Sequence, residues 1–217
     1  IESGHTLKAC RIDVPADISS AAFFMVAASI CEGADLTLEH VGINPTRIGI
    51  INILRAMGGN LELLNEREVG GEPEADIRVR YAPLKGIDIP VDQVPLAIDE
   101  FPALFVAAAN AEGTTRLRGA EELRVKESDR IATMAEGLRA IGARVEEMED
   151  GLIIEGTGGQ LLPGGGPIAT KLDHRIAMSF AVAGLASREG VTIDDMRPVA
   201  TSFPTFVPLL RAIGALE

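Results

Sequence analysis

Apolar positions along this chain fall into two alternating rhythms. Ala21-Ala22-Phe23-Phe24-Met25-Val26-Ala27-Ala28, Phe105-Val106-Ala107-Ala108-Ala109 and Ala177-Met178-Ser179-Phe180-Ala181-Val182-Ala183-Gly184-Leu185 are apolar nearly all round, which predicts buried helices rather than amphipathic surface ones. Each run passes a glycine stop (Gly33, Gly113, Gly190) into a short alternating stretch. Ala34-Asp35-Leu36-Thr37-Leu38-Glu39, Thr114-Thr115-Arg116-Leu117 and Val191-Thr192-Ile193 suit strands with one covered face. A second helix follows, spaced Ile48, Ile51, Leu54 in one place and Met134, Leu138, Ile141 in another, and a glycine ends it. Further strands are predicted at Asn60-Leu61-Glu62-Leu63-Leu64 and Arg144-Val145-Glu146-Glu147. Ile77-Arg78-Val79-Arg80-Tyr81 and Gly151-Leu152-Ile153-Ile154-Glu155 read as extended segments between units.

The pattern is an internal repeat. The closures Leu54-Arg55-Ala56-Met57-Gly58, Leu138-Arg139-Ala140-Ile141-Gly142 and Leu210-Arg211-Ala212-Ile213-Gly214 differ only by one conservative swap. Three copies are expected at about 12–81, 82–155 and 167–217 of a single α/β domain covering residues 1–217, each read as helix, strand, helix, strand. If they pack about a pseudo-threefold axis, equivalent helix N-termini face one surface. Their unpaired N–H groups, with roughly half a positive charge each, then attract anions.

Composition narrows the function. The 217 residues are 47% hydrophobic with no Trp and one Tyr, so aliphatic side chains must fill the core. The net charge of −12 argues against nucleic acid or an anionic membrane as partner. No apolar run approaches the ~18 residues of a membrane span, and the N-terminus has no signal-peptide pattern. Cys10 and Cys31 lie in apolar contexts without metal-ligand spacing and read as buried free thiols in a reducing cytoplasm. No His/Cys/Asp cluster implies a metal. The Gly156–Gly166 stretch lacks the Lys-Ser/Thr and helix of a nucleotide phosphate loop.

An anion site must therefore be local, and three charged clusters qualify. Asp17, Asp99 and Asp173 each stand just before the first helix of a copy, where a carboxylate ordinarily serves as an N-cap. Asp17 fits that role. Asp99 leads Asp99-Glu100-Phe101-Pro102 into a helix, with Pro102 suited to its first turn. In Arg124-Val125-Lys126-Glu127-Ser128-Asp129-Arg130, helical spacing puts Glu127 and Lys126 within reach of Arg130, either as a solvated salt-bridged turn or as an anion pocket. Asp173-His174-Arg175 opens the third apolar helix, where a buried arginine is costly unless it meets an anion.

These strings resemble the C-terminal half of EPSP synthase (3-phosphoshikimate 1-carboxyvinyltransferase) over essentially the whole chain. The resemblance rests on Ile98-Asp99-Glu100-Phe101-Pro102-Ala103, Gly113-Thr114-Thr115-Arg116-Leu117-Arg118, Arg124 to Arg130, Asp173-His174-Arg175-Ile176-Ala177-Met178 and Thr201-Ser202-Phe203-Pro204. It implies the inside-out α/β barrel of the enolpyruvyl transferase fold. It also implies transfer of the enolpyruvyl group of phosphoenolpyruvate to the 5-hydroxyl of shikimate 3-phosphate, without a cofactor, in the cytoplasm. By resemblance, Asp99 is the proton acceptor near that hydroxyl and Glu127 the carboxylate that moves protons at the enolpyruvyl carbons. Lys126 matches a contact to shikimate 3-phosphate. Arg130 and Arg175 match the clamp on phosphoenolpyruvate and on the inhibitor glyphosate, with Asp173 and His174 beside that clamp.

The chain departs from the family at two motif positions. Thr201 stands where some members have a Lys, and Glu122 where some have an Asn, so neither contact carries over. The string Ala120-Glu121-Glu122-Leu123 and the Thr-Ser-Phe-Pro motif resemble the branch that includes glyphosate-tolerant members. The family's N-terminal half, with its Lys-Ser pair and Gly-rich loop, is absent from this sequence. The expectation is thus one half of a two-domain site, inactive alone, from a fragment or a split enzyme, with the N-terminal half as partner. A UDP-N-acetylglucosamine enolpyruvyl transferase-like enzyme and a noncatalytic binding or assembly domain are the alternatives.

Overall fold

A computed structural model describes Gly4, Ala9 and residues 13–216. The core is built from three apolar helices, α1 (Ile18–Ile30), α3 (Phe101–Asn110) and α5 (His174–Leu185), which pack on one another. Eleven residues of α1 and all ten of α3 are buried, as expected of helices with no polar face. Alanine-rich stretches of these helices are buried with Phe23, Phe105 and Phe180, and the Phe23 ring meets Phe206 edge-on with centroids 6.0 Å apart. Asp17 caps α1 by accepting from the Ser20 N–H at 2.9 Å, and Asp173 caps α5 by accepting from the Arg175 N–H at 2.9 Å.

Sheets cover this helical centre. β1 (Asp35–Gly42), β3 (Glu72–Arg80) and β2 (Asn60–Val69) form an antiparallel sheet in the order β1-β3-β2, with Leu36 and Leu61 both opposite Val79. β4 (Thr114–Arg116), β6 (Gly151–Glu155) and β5 (Arg144–Met148) repeat that order, with Thr115 and Val145 opposite Ile154. The third sheet is different. β7 (Pro167–Ile168) and β8 (Thr192–Ile193) pair in parallel, and among the described residues no further strand joins them. The expected second strand of the third unit is therefore not seen in residues 13–216. Two short helices follow β8 in this unit, α6 (Arg197–Ser202) and α7 (Phe206–Ala212).

The outer helices α2 (Gly49–Ala56) and α4 (Arg130–Ala140) bury one stripe each: Ile50, Ile51, Ile53 and Leu54 in α2, and Ile131, Met134 and Leu138 in α4. The closing glycines Gly58, Gly142 and Gly214 have φ of 90, 92 and 74°, a region a side chain disfavours, so the shared Leu-Arg-Ala-(Met/Ile)-Gly string is a helix stop. Gly137 has a different cause. A Cβ there would lie 2.3 Å from Cζ of Phe180, so its absence lets α4 lie against α5.

Two further expectations change. Cys31 sits half-buried at the C-terminal end of α1 as a free thiol, its pKa pushed up by that burial, rather than in the core; Cys10 lies outside the described residues. The expected helix through Lys126–Arg130 is broken. A 3-10 turn over Glu121–Val125 stops at an extended Lys126, and α4 begins at Arg130, where Asp129 accepts from the Ala132 N–H at 3.0 Å. No described helix is long and apolar enough to cross a membrane.

Candidate active site

The break before α4 builds the site. Because residues 126–129 do not continue a helix, Lys126 reaches Asp99 at the N-terminal end of α3, while Glu127 keeps its contact with Arg130 from the solvent side. At α3, Glu100 takes the N-cap position without a side-chain cap bond. Asp99, freed from capping, projects its carboxylate among three cations. Its Oδ1 lies 3.3 Å from Arg130 Nη1 and 3.5 Å from Lys126 Nζ, and its Oδ2 lies 4.0 Å from Arg175 Nη2. Arg175 Nη1 also donates to the Asp99 carbonyl at 3.0 Å. Burial raises the Asp99 carboxyl, but Arg175, Lys126 and Arg130 together outweigh it and hold its pKa below the usual range.

Arg130 is the hub. It is 1% exposed and reaches three carboxylates: Asp99, Glu127 at 2.5 Å and Asp173 at 2.9 Å from its Nε. Asp173 is fully buried and also accepts from Ser128 Oγ at 2.9 Å. Burial opposes its charge, yet the hydrogen bonds and charge of Arg130, with Ser128 and the Arg175 N–H, depress its pKa. The turn into Asp173 is unusual, since Lys171 and Leu172 both have positive φ (53 and 62°). Two left-handed non-glycine residues in a row cost energy and are tolerated where the surroundings dictate the direction of the chain.

Lys126 bridges outward to Glu122 at 2.5 Å, and that bond leads the causes raising its pKa. Glu127 is half exposed, so its carboxylate stands between Arg130 and open solvent. Arg175 is 15% exposed. His174 lines a cavity of about 320 Å³ with Ser20, Arg175, Met178, Ser202 and Phe203. Burial and the neighbouring Arg175 push its pKa down, so neutral imidazole is favoured.

Asp99, Lys126, Glu127, Arg130, Asp173 and Arg175 thus meet in one network from two of the three repeat units, and His174 borders it. Four participants were not singled out from sequence: Ser128, Glu100, Ser19 and Arg47. Arg47 donates to Ser19 Oγ at 2.7 Å, and Ser19 Oγ donates to Glu100 Oε1 in a short hydrogen bond. A signal existed for Arg47. It stands seven residues before the Leu54 closure, and Arg130 stands eight before the Leu138 closure. The arrangement can hold anionic groups on Arg175 and Lys126, and it keeps two carboxylates, Asp99 and Glu127, within reach of the same space for proton transfer. Among the described residues no cluster has the makings of a metal site.

Known proteins share this framework. The family model for EPSP synthase (3-phosphoshikimate 1-carboxyvinyltransferase) matches residues 1–210. The 3-phosphoshikimate 1-carboxyvinyltransferase of Sphingopyxis alaskensis is 61% identical over 207 residues, covering 95% of this chain and 46% of that protein. That of Alkalilimnicola ehrlichii is 62% identical over 214 residues, covering 99% of this chain and 47% of that protein. The solved EPSP synthase of Acinetobacter baumannii superimposes with a TM-score of 0.91 at 59% identity, over 93% of this chain and 46% of that one. The enolpyruvyl transferase NikO of Streptomyces tendae shares the fold alone, with a TM-score of 0.67 at 20% identity. This chain spans about half the length of the curated relatives it matches. With its inside-out arrangement of helices and sheets matching a solved member and the family model covering nearly all its length, the chain belongs to the EPSP synthase family.

Proposed function

We propose that this chain forms one wall of an active site that transfers the enolpyruvyl group of phosphoenolpyruvate to the 5-hydroxyl of shikimate 3-phosphate. The observation that carries the reading is Asp99, a partly exposed carboxylate ringed by Lys126, Arg130 and Arg175 with Glu127 alongside. Both substrates bring phosphate and carboxylate groups, which demand several converging cations in a site that also holds a base and an acid.

In this reading Arg175, the more exposed of the two arginines, takes phosphoenolpyruvate first. Arg130 joins it once half-exposed Glu127 lifts away, and Lys126 holds shikimate 3-phosphate. Substrate anions then share the cations that keep Asp99 acidic. Its basicity rises at the moment it must accept the proton of the 5-hydroxyl. The hydroxyl oxygen bonds to C2 of the enol while Glu127 delivers a proton to C3, giving a tetrahedral adduct. Loss of the C3 proton and rupture of the bond from C2 to the phosphate oxygen release phosphate and restore the enol. Asp173 and His174 stay behind the clamp, Asp173 holding Arg130 in place. Glyphosate, an anion, would compete for the same arginines.

The partner is the family's N-terminal half, supplying the opposite wall of a cleft. The length of the relatives, about twice that of this chain, supports that reading. Mixing the purified chain with the complementary half and following phosphate release tests it. Activity is expected only from the mixture, and full turnover by the isolated chain would sink the half-site proposal.

A further inference from the structure

We infer that Glu100 is a positioning residue: from beneath the site it sets the Arg175 guanidinium for its substrate anion, and Ser19 and Arg47 hold it there. The inference rests on the function proposed above. Glu100 is 4% exposed, yet from the N-cap position its side chain makes no cap bond to α3. Its Oε1 lies 3.9 Å from Arg175 Nη1, the same nitrogen that donates to the Asp99 carbonyl. On its other side it accepts from Ser19 Oγ, itself 2% exposed, and Ser19 Oγ accepts from Arg47 Nη2 at 2.7 Å. Arg47 is steadied by Asp17 Oδ1 at 3.5 Å.

The donors thus run in one direction, from Arg47 to Ser19 to Glu100, and terminate in an anion facing Arg175. Ser19 lies in the first helix of the first unit, Glu100 at the N-cap position of that of the second and Arg175 in that of the third. A single chain of polar contacts therefore ties all three helix N-termini together under the anion site. A buried carboxylate is expensive and persists where charged or hydrogen-bonding partners hold it. Burial does push the Glu100 pKa up, while Ser19 and Arg175 oppose that shift. Two carboxylates flank Arg175 at similar range, Glu100 Oε1 at 3.9 Å from Nη1 and Asp99 Oδ2 at 4.0 Å from Nη2, and Glu100 is the buried one, held by Ser19 on its other side.

The test compares Glu100→Gln with Glu100→Asp in the chain reassembled with its N-terminal half, at about pH 8, well above the ordinary carboxylate range. Gln keeps the shape and the Ser19 bond without the charge, whereas Asp keeps the charge. Glu100→Gln is expected to raise the KM for phosphoenolpyruvate about tenfold, as for one weakened charge-assisted contact, with the KM for shikimate 3-phosphate within about twofold. Glu100→Asp is expected to recover most of the loss. A Gln variant that binds phosphoenolpyruvate as wild type does, or an Asp variant worse than Gln, would show that Glu100 serves packing alone and overturn the inference. The ¹⁵N–¹H signals of the Arg175 side chain in the 217-residue chain itself give a readout without turnover. Slow guanidinium rotation in wild type that becomes fast in Glu100→Gln is expected, and equal rotation in both overturns the anchor. Should wild-type reassembly yield no product, the proposed function fails and this spectroscopic comparison still decides the role of Glu100.

Discussion

Asp173→Asn removes one charge at the least exposed point of the network and changes almost nothing else. The side chain keeps its shape, and Asn remains a competent N-cap for α5. Arg130, 1% exposed, loses the partner at 2.9 Å from its Nε. Removing one member of a buried ion pair costs about 3–5 kcal/mol when the other is left uncompensated. Arg130 keeps Asp99 and Glu127, so the expected loss falls to about 2–3 kcal/mol. With a urea m-value of roughly 2–3 kcal/mol per molar for a chain of this size, the unfolding midpoint should fall by about 1 M. The pH dependence has a definite sign. The Asp173 pKa is depressed in the folded state, so its contribution is complete above the unfolded value of about 3.9 and is lost as pH falls through the lower folded value. The gap between wild type and variant should therefore be constant from about pH 7 down to about 5 and narrow below about 4. Asp35→Asn serves as the control: Asp35 pairs with Arg78 at 2.6 Å but on the surface, and its midpoint should not move. A shift below about 0.3 M for Asp173→Asn, or a gap that widens in acid, refutes the view that the Arg130–Asp173 pair organises this region.

Three further outcomes are expected. Asp99→Asn in the reassembled enzyme should lower turnover by ~10² or more with an unchanged far-UV spectrum, and near-normal turnover would remove Asp99 from proton transfer. Gly137→Ala should destabilise by about 1–2 kcal/mol in urea titration, because the clash with Phe180 exceeds the helix-propensity gain of about 1 kcal/mol. Glu100→Gln should gain stability relative to wild type as pH rises. The folded-state pKa of Glu100 is raised, so the wild type's share is complete below the unfolded value of about 4.3 and is lost as pH climbs through the folded one. Urea midpoints at about pH 4 and 8 check the direction.

Much of the site was legible because its residues crowd into short strings at helix starts. Asp99, the Arg124–Arg130 string and Asp173-His174-Arg175 announce themselves by charge density beside apolar runs. Their mutual geometry was not legible. Helical spacing put Lys126 and Glu127 within reach of Arg130; the Asp129 cap starts the helix only at Arg130, and Lys126 goes to Asp99 while, of the two, only Glu127 pairs with Arg130. Arg130 read as an open clamp, yet three carboxylates enclose it. Glu100 read as a helix-entry acid, although its role depends on Ser19, 81 residues away.

What the sequence determined by itself is whatever a few neighbouring residues control. Apolar periodicity, glycine stops and the thrice-used Leu-Arg-Ala-(Met/Ile)-Gly closure dictate elements through local backbone preferences and one-sided burial. Tertiary structure decided which charges face one another. A carboxylate has no partner until distant segments converge, and burial then decides whether the pair is held or screened. Asp99, Arg130 and Asp173 are separated by dozens of residues and meet only because α3, α4 and α5 bring their N-termini to one surface.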